Sequence, residues 1–482
     1  MFQLAQSLRS IAPLHPLRLI DPVVTFRNSQ GDAARGTLTS VQRRSLVMEI
    51  YNPYSIVQVS EVLTALAVRS GERVIYSGKA IVSSLLNTGL MAVVSVTLTD
   101  EWSELLGAAS DPARVGQEAR AFVEDWNTRF SVRREYQVVV SEMRAYFAEI
   151  TRWVDRADID SALPRDEDGR IRLDVFQELA RPLLEKGRDY LGWFENEAGQ
   201  VDEDRVSMHR SFAQATMHPL ILRAPFVYRT FAKPLGYAGD YEMVNQIIGD
   251  PRQGPSTYFQ LINFMFLQAG VALAHRNRID ILQQHLDRLA QRALSEGRVM
   301  RVLNIGCGPA VEIQQFVRTH PHHDRLEFVL VDFSEETLEY ARQQLLAASE
   351  GKPIRLRLQH ESVNQLLKRA TRAKQVAQED KFDYVYCAGL FDYLTDKVCT
   401  RLIEYFVSRS REGGRILLTN VHSDNPERRW MEHLLEWYLI YRDEAHLARV
   451  LPQGLVNVKT YTEATGINVF LEATVASTVG SP

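Results

Sequence analysis

The chain has 482 residues, 45% of them hydrophobic, which is too long for one ordinary domain and enough for two or three with cores of their own. Its 56 basic and 60 acidic residues leave a formal net charge of -4, a balance that advertises neither a nucleic-acid surface nor a polybasic membrane anchor. Three cysteines, Cys307, Cys387 and Cys399, contain no CxxC pair and are odd in number, which argues against a disulfide framework or a structural zinc site and fits a reducing cytoplasm.

The N-terminal stretch MFQLAQSLRSIAPLHPLRLI is broken by Arg9, Pro13, His15, Pro16 and Arg18, so it lacks the apolar run of a signal peptide. No later run approaches the length of a membrane span, and a soluble protein is expected. From about Val23 to Thr99 the text is strand-rich (PVVTFRN, SLVMEIY, SIVQVSEVLTAL, ERVIYSGKAIVSSLLNTGLMAVVSVTL), with turn signals NSQGD, YNPY and RSGE, and reads as a small β-barrel. Between about Trp102 and Arg298, apolar residues recur at three and four in ARAFVEDWNTRF, EMRAYFAEITRWV, DVFQELARPLLEKGRDYLGWF and RIDILQQHLDRLAQRAL, a helical period. After Arg301, strand-like runs at 301–305, 326–332, 354–359, 382–387 and 414–420 alternate with helical stretches, the pattern of a parallel sheet covered on both faces. GLVNVKTYTEATGINVFLEATV then predicts a terminal antiparallel hairpin turning near Gly466. The fold class expected is α/β, a Rossmann-like seven-stranded sheet over 299–482, preceded by a helical region over 106–298 and a barrel over 1–105.

The first strand of the parallel sheet runs into a bare turn, RVLNIGCGPAVEI. In an open parallel sheet, ligands bind beyond the carboxyl ends of the strands, and Gly306 and Gly308 let backbone approach a ligand closely. A dinucleotide fingerprint would place its third glycine where Val311 stands, which weakens that reading. Asp332, ending the second strand, is positioned to accept hydrogen bonds from both hydroxyls of a ribose. Together they indicate an adenosine ribose without saying which cofactor carries it.

LNIGCGPA resembles the first motif of class I S-adenosylmethionine (SAM)-dependent methyltransferases, and LVDFSEETLEYA resembles the second. That resemblance implies SAM as cofactor and no metal, with Asn304, Gly306, Cys307 and Gly308 along its methionine and adenosine side. Asp332 would hold the ribose, Phe333 would lie beside the adenine, and Glu361 or Ser362 would meet the adenine edge. Asn304 stands where the family has an acidic residue, which leaves open how the loop is braced. Cys307 is read as a small residue tolerated between glycines.

Polar groups at the other strand ends, Asp392, Tyr393, Asn420 and His422, are candidates for handling the methyl acceptor, and His422 is weighed both as a general base and as a histidine satisfied by backbone. RTFAKPLGYAGDYEMVNQI, Arg229 to Ile247, mixes glycines with Lys233, Tyr237 and Asp240, and is expected to be a lid or else a connector. With GLFDYLTD and WMEHLLEWYLIYRDEAHL it resembles the bacterial family linked to biosynthesis of extracellular factor, 3-hydroxypalmitic acid methyl ester, a diffusible quorum-sensing signal. The implied acceptor is a small, lipid-like molecule methylated at its carboxyl group. Trp430, Leu434, Trp437, Leu439 and Tyr441 would line an acyl pocket or be plain core. Arg276 and Arg278 would pair with a carboxylate or be exposed helix arginines, the commoner case.

The N-terminal strands resemble a PilZ-like barrel, a fold that binds cyclic di-GMP, but the chain before them has no RxxxR arm and the matching turn reads LTSVQRRSLVMEI. A barrel kept for docking or for homodimerisation is expected. Two alternatives stay open: a cyclic di-GMP-type regulatory protein on a degenerate methyltransferase scaffold, and a methyltransferase for another small molecule, a protein or RNA. The missing basic stripe counts against RNA.

Overall fold

The computed structural model describes residues 22–42, 44–50, 57–70, 73–87, 92–100, 132–159, 163–372 and 380–477, with a few single positions between 116 and 123. The opening stretch read for a signal peptide and most of ARAFVEDWNTRF lie outside the described residues.

Six strands close the barrel: β1 (Val23–Arg27), β2 (Ala33–Val41), β3 (Ser45–Ile50), β4 (Val62–Ser70), β5 (Arg73–Asn87) and β6 (Ala92–Leu98), in the order β1-β2-β3-β6-β5-β4. Alternation drives it, since Leu46, Met48 and Ile50 point inward from β3 and pack with Val24, Phe26, Val94 and Val96. Closure pairs every strand on both sides and leaves no open edge. Strand β2 escaped the sequence reading because AARGTLTSV buries only Gly36 fully and so carries almost no apolar alternation.

Helices follow: α1 (Arg134–Ile159), α2 (Leu173–Gly199), α3 (Val206–Ile221), α4 (Pro225–Ala232), α5 (Tyr241–Ile248), α6 (Thr257–Leu267) and α7 (Gly270–Ser295). The chain groups into two compact units, residues 1–238, 251–266 and 426–438 in one, and 239–250, 267–425 and 439–482 in the other. Barrel and helices α1 to α4 thus share a unit with a short segment borrowed from the C-terminal region.

A buried polar knot holds that borrowed segment in the first unit. Arg210 on α3 donates to the Tyr438 hydroxyl and to Thr97 Oγ1 of β6 (2.8 Å), with Glu436 Oε1 at 3.6 Å. Ser60 Oγ, in the barrel, donates to the Tyr438 carbonyl (2.9 Å), and Lys233 Nζ donates to the Leu435 carbonyl (3.2 Å). Burying charges is tolerable only when they are paired this way.

The second unit is built on a seven-stranded sheet, β7 (Met300–Ile305), β8 (Leu326–Asp332), β9 (Arg355–His360), β10 (Phe382–Cys387), β11 (Ser410–Val421), β12 (Leu455–Thr462) and β13 (Asn468–Val475). Its order is β12-β13-β11-β10-β7-β8-β9, with β7 to β11 parallel and β13 antiparallel to both β11 and β12. The fold is therefore the α/β arrangement read from the sequence, terminal hairpin included. Both sheet faces are buried, one under α11 (Asp396–Arg409) and the other under α7 and α8 (Val311–Thr319), as near-continuous apolar strands require. Helices α9 (Glu335–Ala348) and α10 (Val363–Arg372) follow β8 and β9, while α12 (Arg428–Leu434) and α13 (Glu444–Arg449) are short elements between β11 and β12.

Candidate cofactor and active site

Strand β7 is central: the chain leaves it toward β8 and β9 on one side, then returns to β10 on the other. The crevice beyond the ends of β7 and β10 is thus the switch point where ligands of such sheets bind. At its lip Gly306 and Gly308 take left-handed φ values of 67° and 52°, the conformation that favours glycine. A Cβ on Gly306 would meet Leu390 at 3.4 Å, whereas the place a Cβ on Gly308 would fill has no protein atom within 4 Å.

Asp332, 7% exposed, is held from two sides. Its Oδ2 accepts from Gly308 N–H (3.2 Å) and its Oδ1 from Ser334 N–H (3.0 Å). The Phe333 N–H also acts on it, and since a carboxylate has about four acceptor positions, capacity remains for a donor from a ligand. Burial pushes its pKa up from the ordinary 3.8, opposed by those backbone donors.

The brace for the glycine turn is a group the sequence reading missed. Glu312, in the first turn of α8, accepts from the Tyr386 hydroxyl (2.6 Å) and from Asn304 Nδ2 (3.2 Å), and Asn304 Nδ2 also donates to the Tyr386 oxygen (3.0 Å). All three are buried, and burial raises the pKa of both Glu312 and Tyr386. The acid missing at the end of β7 is thus supplied one helical turn later, with Asn304 as its donor. The signal lay in Glu312 opening a helix directly after the glycines.

The remaining cofactor candidates divide. Cys307 is buried, its thiol pushed well up by desolvation, as a packing residue would be. Phe333 is partly exposed and its carbonyl accepts from His360 Nε2 (2.7 Å). Glu361 N–H donates to the Asp332 carbonyl (3.0 Å), while Ser362 caps α10, its Oγ accepting from Gln365 N–H (3.3 Å) and its own N–H donating to Gln365 Oε1 (2.7 Å).

Among the acceptor-side candidates, Asp392 and Asn420 each have a hydrogen-bond partner within the fold. Asp392 Oδ1 accepts from Val421 N–H (2.6 Å), and Asn420 Oδ1 accepts from Arg442 (2.7 Å). Arg442, fully buried, also reaches Asp396 Oδ1 (2.8 Å) and the carbonyls of Phe391 (2.9 Å) and Leu394 (2.6 Å). His422 Nε2 faces Glu444 Oε2 at 3.2 Å, and its Nδ1 accepts from Asp424 N–H (3.0 Å). The Tyr393 hydroxyl lies 2.9 Å from where a Cβ on Gly239 would stand. Asp240, 2% exposed, caps α5 by accepting from Met243 N–H (3.0 Å). Lys233 and the partly exposed Tyr237 belong to the first unit.

Trp430, Leu434 and Trp437 are buried in the first unit, Trp430 edge-on to Phe266 at 5.3 Å, and Leu439 is buried in the second, so packing accounts for them. Arg276 Nε donates to the Ile247 carbonyl (2.8 Å). Arg278, expected on an exposed helix face, is instead 7% exposed. The helical period placed it on α7 but gave no warning that this position packs beside Gly389, just after β10.

Residues 297–450 match the family model described as a methyltransferase domain. This span covers β7 to β11, the glycine turn and Asp332. No curated protein matches. Solved structures similar to the chain include a possible exported protein from Bordetella parapertussis (17% identity, 52% of this chain and 86% of that one, TM-score 0.38). Another is magnesium protoporphyrin IX methyltransferase from Synechocystis PCC 6803 with bound S-adenosylhomocysteine (SAH; 16%, 52% and 98%, TM-score 0.34). A third is an O-methyltransferase family protein from Burkholderia thailandensis (14%, 58% and 74%, TM-score 0.33).

Proposed function

We propose that the protein is a SAM-dependent methyltransferase acting on a small, fatty-acid-like acceptor at its carboxyl group. The observation that carries the cofactor half is the pairing of the Gly306–Gly308 turn with Asp332 at the switch point, inside a span that matches a methyltransferase domain. The residues fit an adenosine ribose: Asp332 keeps acceptor capacity, and the bare space at Gly308 admits a ligand against backbone. When bound, SAM supplies an electrophilic methyl on a sulfonium.

The chain's own work is placement. Asp332 accepts the ribose hydroxyls, and the Glu312, Asn304 and Tyr386 network fixes the turn that positions the rest. Methyl transfer is an in-line displacement, accelerated by holding the reacting atoms close and excluding water. A carboxylate acceptor is already an anion, so no residue has to remove a proton. This agrees with Asn420 being held by Arg442, Asp392 by Val421 N–H, and His422 having its own partners. The acceptor class rests on the sequence resemblance of GLFDYLTD and WMEHLLEWYLIYRDEAHL. Steady-state assay of SAH formation with 3-hydroxypalmitate tests it: turnover blocked by Asp332→Ala supports the reading, and SAM binding without turnover on fatty acids removes the acceptor class.

A further inference from the structure

Arg278 is a buried arginine. Among the described residues it makes no hydrogen bond and no ion pair within 4 Å, although it is only 7% exposed. Burial lowers its pKa from the ordinary 12.5, with Asp392 and Glu312 acting in the other direction. A buried charge with no hydrogen-bonded ion pair is expensive for a fold to carry, so the fork has room for a paired counter-charge.

Its position says where that counter-charge binds. The guanidinium lies against Gly389, with Nη2, Nη1 and Cζ at 3.3, 3.5 and 3.6 Å from the point a Cβ there would occupy. Gly389, with φ 97°, follows the end of β10, beside Leu390, which a Cβ on Gly306 would meet. Arg278 therefore stands at the switch-point crevice between β7 and β10. Glu312 and Asp392 are near enough to act on it electrostatically, yet neither pairs with it, and each has its own donors in Tyr386 and Val421 N–H.

We infer that Arg278 is a carboxylate receptor of the active crevice. Five N–H donors in a planar fork match a carboxylate in a two-point pair, and a desolvated site makes that pair strong. The inference rests on the methyl-transfer reading, which offers two carboxylates: the amino-acid end of the cofactor and the reacting group of the acceptor.

Calorimetry on the full-length wild type and Arg278→Gln, with three probes, tests the receptor and separates the two sources. SAH carries the amino-acid carboxylate, 5′-methylthioadenosine keeps the adenosine and thioether without it, and 3-hydroxypalmitate added to SAH-saturated protein carries the acceptor's. The variant should lose on the order of 10- to 100-fold in affinity for one carboxylate probe while holding methylthioadenosine within about twofold. Loss on SAH assigns the cofactor's carboxylate, and loss on 3-hydroxypalmitate the acceptor's. Arg278→Lys, which keeps the charge but not the fork, should fall between the two. Unchanged affinity for both carboxylate probes overturns the inference, as does a parallel fall for methylthioadenosine and SAH. Wild type binding neither adenosine ligand would sink the methyl-transfer reading itself and this inference with it.

Discussion

Asp332 concentrates the residue-scale chemistry, because a carboxylate pinned by Gly308 and Ser334 can serve a ribose without moving. Asp332→Ala should weaken SAH binding by about 2 to 4 kcal/mol, read by calorimetry, through two lost hydrogen bonds to a charged acceptor. The same residue sets a pH dependence. Ligand hydroxyls favour the ionised form, and burial raises the pKa of the free protein above 3.8. SAH affinity should therefore be full at neutral pH and fall as pH drops through a midpoint above that value, with the fall absent in Asp332→Ala. Tyr386→Phe removes one of the two donors to buried Glu312 and should cost about 1 to 3 kcal/mol of stability, measurable by denaturant unfolding.

At the scale of elements, the glycine turn and the helix behind it separate folding from binding. Gly308→Ala puts a Cβ at φ 52°, which costs about 1 to 2 kcal/mol of stability. Its Cβ enters space free of protein atoms, so SAH affinity should fall far more than thermal stability does. Equal and small effects on both would show that no ligand uses that space. Glu195 on α2 gives an independent pH signature: its carboxylate accepts from the N–H groups of Arg429 (3.0 Å) and Trp430 (2.7 Å) at the start of α12, and burial pushes its pKa up from 4.5 to about 7. The folded state thus holds that proton more tightly than the unfolded chain. The associated stability is full below about 4.5 and is lost as pH rises through 7, on the order of 3 kcal/mol in all. Melting of Glu195→Gln across this window should lack that slope.

Whole-molecule architecture was legible where pattern and fold coincide. Parallel strands buried on both faces announce themselves as apolar runs, and the glycine turn and Asp332 sit at sequence-marked strand ends, so the parallel sheet and its terminal hairpin followed from the text. The bracing Glu312, the knot around Arg442 and the burial of Arg278 did not, because each depends on which elements meet, and local period is blind to that. Nor did period show that residues 426–438 join the barrel and helices. Arginines that grip phosphate are hard to replace, so the full chain should bind cyclic di-GMP no tighter than about micromolar, and submicromolar titration would favour the regulatory reading. The most direct measurement of the central claim is mass spectrometry after incubating the protein with methyl-labelled SAM and 3-hydroxypalmitate. Methyl transfer predicts a labelled methyl ester formed in step with SAH, both abolished by Asp332→Ala; SAM recovered intact, with no labelled product from 3-hydroxypalmitate or a bacterial lipid extract, would contradict it.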